Sequence, residues 1–565
     1  MSDVRAPPAR RPACRSVART VAIVATLALA WTTGSCPAAG EPAASAGEAI
    51  YLRGVLGTGA ALQATRVDAG ATIEGAGAAC VNCHQRSGLG TVEGRILIPP
   101  IAGEYLFHAR GPRSDENYLP YVPSVRADRE PYTEATLARA IREGVDSSGK
   151  PLGALMPHFA LADADMASLV AYLKSLDIRR MPGASDDVLH FATIITPDAD
   201  PVKRRGVLDV LEHYFTDANA LRFRSNPHLQ SSGRTMYSKS MFIANRRWQL
   251  HVWELTGPPA LWRAQLERHL ADEPVLAVIS GLGGSQWAPV HDFCERERLP
   301  CLFPNVEVPV DAPGGFYSLY LSRGVLLEAD LVAQALAPAG QQPPGGELHQ
   351  VYRVGDSGEA AARALAARLR AQHVVVHDHA LPPGAGRASL AQALRAARGA
   401  RALVLWLRPA DLAELGDAPP ASTEVFMSGL LGGLEGAPLP AGWRARTRMA
   451  YPFDAPTRRI VRVDYALGWF SIRRIPVVSQ QVQVDTYLAC GLLAEAISHM
   501  ADTFVRPYLI ENLQTMLEHR VITGYYPRLS LATGQHFASK GGYLMRFQAD
   551  EGPSVVADGD WIVPR

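Results

Sequence analysis

The chain has 565 residues, 47% of them hydrophobic and 20% charged, which is the composition of an ordinary globular protein with two or three folding units. The 56 basic and 55 acidic residues give a formal net charge of +1, which argues against a general nucleic-acid binder. Only five residues are lysines, too few for a lysine ring that would steer a charged partner.

The first 40 residues are predicted to be a secretory signal peptide. Five arginines precede the short apolar run Val21–Trp31, and small residues follow it. This order is typical of an export leader, and the run is too short to span a bilayer. Cys36 resembles a weak lipoprotein site, because Thr33 stands where such a site has leucine; cleavage near Ala38–Gly40 is the alternative. A periplasmic location follows, with membrane attachment only if Cys36 is lipidated.

Residues 80–84 read Cys-Val-Asn-Cys-His, the pattern of covalent haem attachment. Cys80 and Cys83 are spaced to form thioethers with the two vinyl groups of one haem, and His84 is then the proximal iron ligand. A thioredoxin-like pair would follow a strand, whereas glycine and alanine fill 75–79. A zinc ribbon would need a second cysteine pair nearby. The motif therefore predicts one haem c.

Met156 is the predicted sixth ligand of the iron. It lies in Leu-Met-Pro-His-Phe, and Pro157 keeps it out of helical geometry just before a predicted helix. His108 and His158 are the alternatives. Ligation by histidine and methionine leaves no open position for a substrate, which favours electron transfer over catalysis.

Residues 45–176 resemble a class I cytochrome c domain, a small all-α fold. Gly47 and Tyr51 match the Gly-x-x-x-aromatic pattern of the family's first helix, which crosses its last helix, here containing Tyr172. Residues 98–100, Ile-Pro-Pro, are similar to the segment whose proline carbonyl holds the proximal histidine. The stretch 103–131 is longer than the family needs and is expected to cover the haem edge or to form a partner surface. The resemblance implies the haem ligands Cys80, Cys83, His84 and Met156.

Residues 177–187 are predicted to form a linker, and 188–565 a second domain. Strand-like and helix-like segments alternate there, which predicts parallel sheets with helices on both faces. The glycine- and proline-rich stretch 338–346 is the expected crossing between two lobes. The predicted strands are 188–196, 249–255, 275–280, 301–303, 349–354, 373–377, 402–407 and 424–427. The predicted helices are 203–215, 262–271, 287–298, 325–335, 359–371, 390–398 and 410–415.

This alternation resembles the type 1 periplasmic binding proteins, the branched-chain amino-acid receptor group, over about 188–540. The resemblance implies a ligand between two lobes, near strand ends and helix N-termini, where free N–H groups favour carboxylates. By position, Ser285 and Gln286 at a helix start and Asn305 after the next strand are the candidate contacts. Tyr317 and Tyr320 are weaker candidates.

Three further features are ambiguous in the sequence. Cys294 and Cys301 are a candidate disulfide in an oxidising compartment, or else two buried free thiols. Cys490 lies in an apolar run and is predicted to be a core thiol. The triplet 377–379, His-Asp-His, can bind a metal, but a surface loop is the favoured interpretation.

We expect a periplasmic electron-transfer protein with one His/Met haem c, coupled to a domain that binds a ligand or a partner. The redox partner is expected to be a dehydrogenase or a terminal oxidase chain. The alternative is a solute-binding or sensing protein whose haem is accessory. An enzyme is disfavoured, because the sequence contains no Walker loop, zinc-protease helix or Gly-x-Ser-x-Gly elbow.

Overall fold

The computed structural model describes residues 45–67, 70–93, 96–108, 129–176, 181–223, 246–336, 346–420, 423–500, 503–548 and 555–564. The predicted signal peptide with Cys36, and most of the long stretch 103–131, lie outside these residues. The described residues all belong to one compact unit, Ala44–Arg565. Within them, no helix combines the length and apolarity that crossing a membrane requires.

The N-terminal domain is a small helical fold with short strands. Its helices are α1 Ala46–Arg53, α2 Val81–His84, α3 Gly103–Phe107, α4 Glu134–Glu143 and α5 Asp163–Ser175. Its strands are β1 Gln63–Thr65, β2 Thr72–Glu74, β3 Thr91–Glu93, β4 Ile96–Ile98 and β5 His158–Ala160. Strand β1 pairs with β2 and β5, and β3 pairs with β4.

The crossing of α1 over α5 depends on Gly47. A Cβ atom on Gly47 would lie 2.0 Å from the backbone oxygen of Ser168, so any other residue would push the helices apart. One turn further along, the rings of Tyr51 and Tyr172 meet with centroids 5.3 Å apart. The predicted contact between the first and last helices of this domain is therefore confirmed.

The first lobe of the large domain is a parallel sheet. Strand β6 lies between β7 and β8, β10 and β12 continue the sheet from β8, and β9 and β11 pair beyond its carboxyl end. The strands are β6 Val188–Ile195, β7 Arg247–Glu254, β8 Ala277–Ile279, β9 Leu282–Gly283, β10 Cys301–Leu302, β11 Asn305–Val306 and β12 Ser318–Leu319. The helices between them are α6 Pro201–Phe223, α7 Trp262–Asp272 and α8 Ala288–Arg296.

The second lobe is a mixed sheet in the order β14-β13-β15-β16-β17-β18-β19, with β18 and β19 antiparallel to their neighbours. Its strands are β13 Leu348–Arg353, β14 Val376–Leu381, β15 Ala402–Trp406, β16 Glu424–Ser428, β17 Thr447–Tyr451, β18 Tyr543–Phe547 and β19 Val555–Ala557. Its helices are α9 Val325–Leu336, α10 Ser357–Arg370, α11 Arg387–Ala396, α12 Pro409–Leu412, α13 Gly429–Gly432 and α14 Ala441–Arg444.

Three long helices follow the second lobe's parallel strands: α15 Pro456–Arg473, α16 Gln480–Met500 and α17 Arg506–Leu517. Helix α15 reaches from one lobe to the other, since Arg459 bonds to Asp454 beside β17 while Trp469 bonds to Asp217 on α6. Helix α16 packs on α6 and α17. The predicted α/β architecture with two lobes is confirmed.

The crossing between the lobes is not at 338–346, as the glycine and proline content predicted. Helix α9 already shares the apolar core of the second lobe with Leu348, Leu365 and Trp406. The chain therefore crosses before α9, near Gly324, whose φ of 56° turns the chain. Residues 337–345, which follow α9 in the sequence, lie outside the described residues. The glycine and proline content correctly predicted a connecting segment, but the sequence around α9 did not show which lobe this helix packs against.

One predicted strand, 373–377, begins later than expected. His373 has a φ of 62°, a left-handed conformation that closes the turn after α10, so β14 starts only at Val376. The triplet 377–379 consequently lies inside an edge strand and not in a surface loop.

The described part of the predicted linker, 181–187, packs on the first lobe. A Cβ atom on Gly183 would lie 2.1 Å from the backbone nitrogen of Leu276, and the Gly183 carbonyl accepts a hydrogen bond from His190. These residues extend the large domain, and residues 177–180 lie outside the described part of the chain.

The N-terminal domain contacts the large domain through the segment that follows the Cys-x-x-Cys-His motif. Ser87 donates its N–H and its hydroxyl to the two carboxylate oxygens of Glu511 on α17, at 2.8 and 2.6 Å. The Arg86 guanidinium lies 4.4 Å from the ring centroid of Phe316. Beside these contacts, Glu48 forms an ion pair of 2.7 Å with Arg298.

Candidate functional site

A cavity of about 750 Å³ lies inside the N-terminal domain. Most of its wall is apolar, as a binding site for a large planar organic group requires. The residues of the predicted haem site line it together with aliphatic and aromatic side chains from α1 to α5. Among the lining residues are Cys80, Cys83, His84, Met156, Leu62, Ile73, Leu106, Ile141, Leu152 and Phe159.

His84 is held in the orientation of a metal ligand. It ends α2, is buried, and its Nδ1 lies 3.0 Å from the carbonyl oxygen of Pro99. This bond identifies Pro99 as the proline that holds the histidine, and it leaves Nε2 as the nitrogen for iron. Burial lowers the pKa of His84 to about 4, so the imidazole is neutral at physiological pH, the form that binds metals.

Cys80 and Cys83 lie one helical turn apart at the start of α2, both on the cavity wall. Met156 reaches the same cavity from a turn closed by its N–H bond to the Gly153 carbonyl. The rival ligands are not part of the wall. The His108 side chain is 64% exposed and faces Glu104, and His158 lies on β5 beside β1.

The predicted ligand contacts of the large domain are engaged within the protein. The backbone N–H groups of Gly284 and Ser285 approach the carboxylate of Asp198 at 3.4 and 3.1 Å. Helix α8 begins only at Ala288, so Ser285 and the exposed Gln286 precede the helix instead of opening it. An internal carboxylate therefore occupies the N–H groups that a ligand was expected to use.

Asn305 is likewise bonded inside the protein. Its amide donates to the Ser280 hydroxyl at 2.9 Å and to the Thr486 hydroxyl at 3.1 Å. The weaker candidates Tyr317 and Tyr320 are both buried, and the Tyr320 hydroxyl bonds to His291. The prediction that these residues contact a ligand remains a prediction.

Glu307 joins the two lobes, and no motif or periodicity in the sequence pointed to it. Its carboxylate accepts hydrogen bonds from Arg408 of the second lobe at 2.9 and 2.6 Å, and from the Ser357 hydroxyl at 2.8 Å. Lys203 of the first lobe contributes a third cationic contact at 3.0 Å. Burial alone would raise the pKa of Glu307, but the bonds from Arg408 and the charges of Arg408 and Lys203 lower it to about 2.

The candidate disulfide is not formed. Cys294 and Cys301 are free thiols, both fully buried between α8 and β10, and a hydrogen bond to Cys301 helps to raise the pKa of Cys294 after burial itself. The structure therefore contains the alternative, two core thiols. Cys490 is also buried, as predicted.

Residues 67–177 match the cytochrome c family. No curated protein sequence matches the chain.

Among solved structures, a fatty acid ABC transporter substrate-binding protein from Thermomonospora curvata is 16% identical, with a TM-score of 0.47 over 68% of this chain and 95% of that one. A solute-binding protein from R. palustris in complex with benzoate is 13% identical, with a TM-score of 0.48 over 67% and 97%. A leucine-binding protein from Thermotoga maritima is 12% identical, with a TM-score of 0.45 over 66% and 99%.

Proposed function

Because residues 67–177 form a cytochrome c domain, we propose that the chain is a periplasmic electron-transfer protein with one covalently attached haem c. The observation that carries the proposal is the neutral, Pro99-bonded His84 facing an apolar cavity that Met156 also lines. Bound there, the haem would supply one-electron oxidation and reduction. The protein's part is to hold the iron ligands and to exclude water from them.

Four residues are assigned to the haem in this proposal. Cys80 and Cys83 would form the thioether bonds, and His84 and Met156 would hold the iron. The donor set fits the group, since the imidazole nitrogen left by the Pro99 bond and a thioether sulfur border one cavity. If both His84 and Met156 held the iron, the domain would carry electrons and would leave no position at the iron for a substrate.

Exposed apolar side chains mark the surface where electrons would enter and leave. Ile96, Leu97 and Leu155 line the cavity and are each 36% exposed or more. Since the chain has few lysines, the redox partner is proposed to dock on this apolar rim without strong charge steering. A periplasmic dehydrogenase or a terminal oxidase chain would be such a partner.

The large domain has a second candidate function, binding a small carboxylate. The N–H groups of Gly284 and Ser285 already hold one carboxylate, that of Asp198, so the site suits this chemistry. A solute would have to displace Asp198 from it. Electron transfer is the better supported proposal, because the haem cavity requires no such rearrangement.

The test of the proposal is haem attachment in a host that matures c-type cytochromes. The exported protein should show a sharp reduced α-band and haem staining that survives denaturation. Replacing both cysteines, Cys80→Ala with Cys83→Ala, should abolish the stain completely, since the thioether bonds are its only covalent links. A colourless wild-type protein would overturn the proposal, and staining that persists in the double variant would overturn the attachment site.

The axial ligand has a separate test. Met156→Ala should retain the covalent haem but lose the sulfur-to-iron band, bind cyanide much faster than wild type and have a lower reduction potential. His158→Ala is the matched control and should leave all three properties at wild-type values. Equal cyanide binding by wild type and Met156→Ala would contradict the assignment of Met156.

A further inference from the structure

Three histidines and a glutamate lie together at the amino ends of β13 and β14, at the edge of the second lobe's sheet. Strands β13 and β14 are parallel, and His349 is the direct neighbour of His377. Because alternate residues of a strand share a face, Glu347 lies on the side of His349, and His379 on the side of His377. Two neighbouring strands thus present four metal-binding side chains on one face.

The spacing of three of these groups is that of a coordination sphere. Glu347 Oε2 lies 3.6 Å from His349 Nε2 and 3.3 Å from His377 Nε2. In a tetrahedral zinc site, bonds of about 2.0–2.2 Å place neighbouring ligand atoms about 3.3–3.6 Å apart. Among the described residues, this is the group in which three such atoms all lie within 4.8 Å of one another.

His379 fixes the orientation of His349. His379 Nε2 lies 2.8 Å from His349 Nδ1, and the two rings stack with centroids 5.0 Å apart. When His349 donates from Nδ1, its Nε2 carries the lone pair that faces Glu347 and His377. A hydrogen bond to the far nitrogen is the usual support of a metal-binding histidine.

The remaining residue of the triplet takes no part. Asp378 points to the opposite face of β14, where it pairs with Arg370 at 2.9 Å and accepts a bond from Gln350. The His377 side chain is 43% exposed, which leaves an ion a path from solvent.

The first lobe provides an internal comparison. His190 on β6 and His251 on β7 form the same pair, Nδ1 to Nε2 at 2.9 Å, with the same offset between parallel strands. However, Gln249 stands at the position of His377, and Val188 stands two residues before His190 where Glu347 precedes His349. The first lobe therefore has the supporting pair without the other two ligands.

We propose that Glu347, His349 and His377 bind one divalent transition-metal ion of the Zn²⁺ class, with His379 positioning His349. Imidazole and carboxylate ligands suit Zn²⁺, and three protein ligands leave the fourth position to water or to a partner group. The site lies at the amino ends of β13 and β14, whereas Ser357, a partner of Glu307, follows the carboxyl end of β13. It is also separate from the cavity of the N-terminal domain.

The proposal is tested by equilibrium dialysis of the full-length haem protein, without an affinity tag, against ZnCl₂, followed by metal analysis. We expect one Zn²⁺ per chain. Glu347→Gln and His377→Gln, the second of which copies the first lobe, should weaken binding by more than about 100-fold. His379→Gln should weaken it by about 10- to 100-fold, as loss of a supporting bond does.

His251→Gln is the matched control, since it breaks the corresponding pair of the first lobe and should leave zinc binding unchanged. Haem content and thermal midpoint establish that each variant is folded. Wild-type protein that binds no zinc would overturn the proposal. So would His377→Gln binding like wild type, or His251→Gln losing as much zinc as His377→Gln, because either result would place the ion elsewhere.

Discussion

One contact between the lobes and one contact between the N-terminal domain and the large domain each include a glutamate that is largely shielded from solvent, and the pKa values of these two glutamates shift in opposite directions. Between the lobes, Glu307 faces the cations Arg408 and Lys203, and its pKa lies near 2. Between the N-terminal domain and the large domain, Glu511 is bonded by the uncharged donors of Ser87, and burial raises its pKa to about 7. The partner of a buried carboxylate, and not burial alone, decides its charge.

This difference gives the two contacts opposite pH dependences. The pKa of Glu307 is below its ordinary value of 4.5, so its stabilisation is present above pH 4.5 and is lost as the pH falls through about 2. The pKa of Glu511 is above 4.5, so its contribution is complete below pH 4.5 and is lost as the pH rises through about 7. Both contacts are therefore strongest in mildly acidic solution.

The largest effect is expected from removing the cation between the lobes. Arg408→Ala leaves Glu307 with Lys203 and Ser357 but removes the guanidinium that donates two hydrogen bonds to its carboxylate. Removing one partner of a buried ion pair lowers the free energy of unfolding by about 3–5 kcal/mol. Since the Arg408 side chain is 32% exposed, we expect the lower end, about 3 kcal/mol. Urea unfolding followed by tryptophan fluorescence measures the loss.

Arg363→Ala is the matched control, an arginine of the same lobe that is 75% exposed and pairs with Glu359 one turn away. It should cost less than about 0.5 kcal/mol. If Arg408→Ala unfolds at the same urea concentration as Arg363→Ala, the ion pairs of Glu307 do not hold the lobes together.

The proposed haem site could be predicted because its residues lie close together in the sequence. Cys80, Cys83 and His84 fall within one helical turn, and attachment to a single group requires that spacing. Gly47 was predictable for a similar reason, since a close helix crossing excludes a side chain. The sequence could not show which of Pro99 and Pro100 holds His84, because both could offer a carbonyl oxygen. The backbone path selects Pro99.

The contacts between domains could not be predicted, because their partners are far apart in the chain. Glu307 and Arg408 are 101 residues apart, and Ser87 and Glu511 are 424 apart. No periodicity or motif relates such pairs. Ser285 shows the same limit. Its position at a predicted helix start indicated a free N–H group, but the Asp198 carboxylate, 87 residues earlier, already accepts a hydrogen bond from it.

A smaller effect on stability is expected at Glu511. Its contribution is lost as the pH rises, whereas that of Glu307 is lost as the pH falls. Glu511→Gln keeps the shape of the side chain, and its amide can still accept from the Ser87 N–H and donate to the Ser87 hydroxyl. It cannot ionise, so between pH 5 and 8 the variant should lose about 2 kcal/mol less stability than wild type.

Thermal midpoints at pH 5 and pH 8 test this expectation, with Glu518→Gln as control because Glu518 is an exposed residue at the end of the same helix. The control should follow the wild-type pH profile, and Glu511→Gln should be at least as stable as wild type at pH 8. Arg86 and Tyr51 also face Glu511, so its charge acts beside the haem-binding segment. If wild type and Glu511→Gln lose the same stability between pH 5 and 8, Glu511 is already ionised in the folded protein, and the contrast with Glu307 fails.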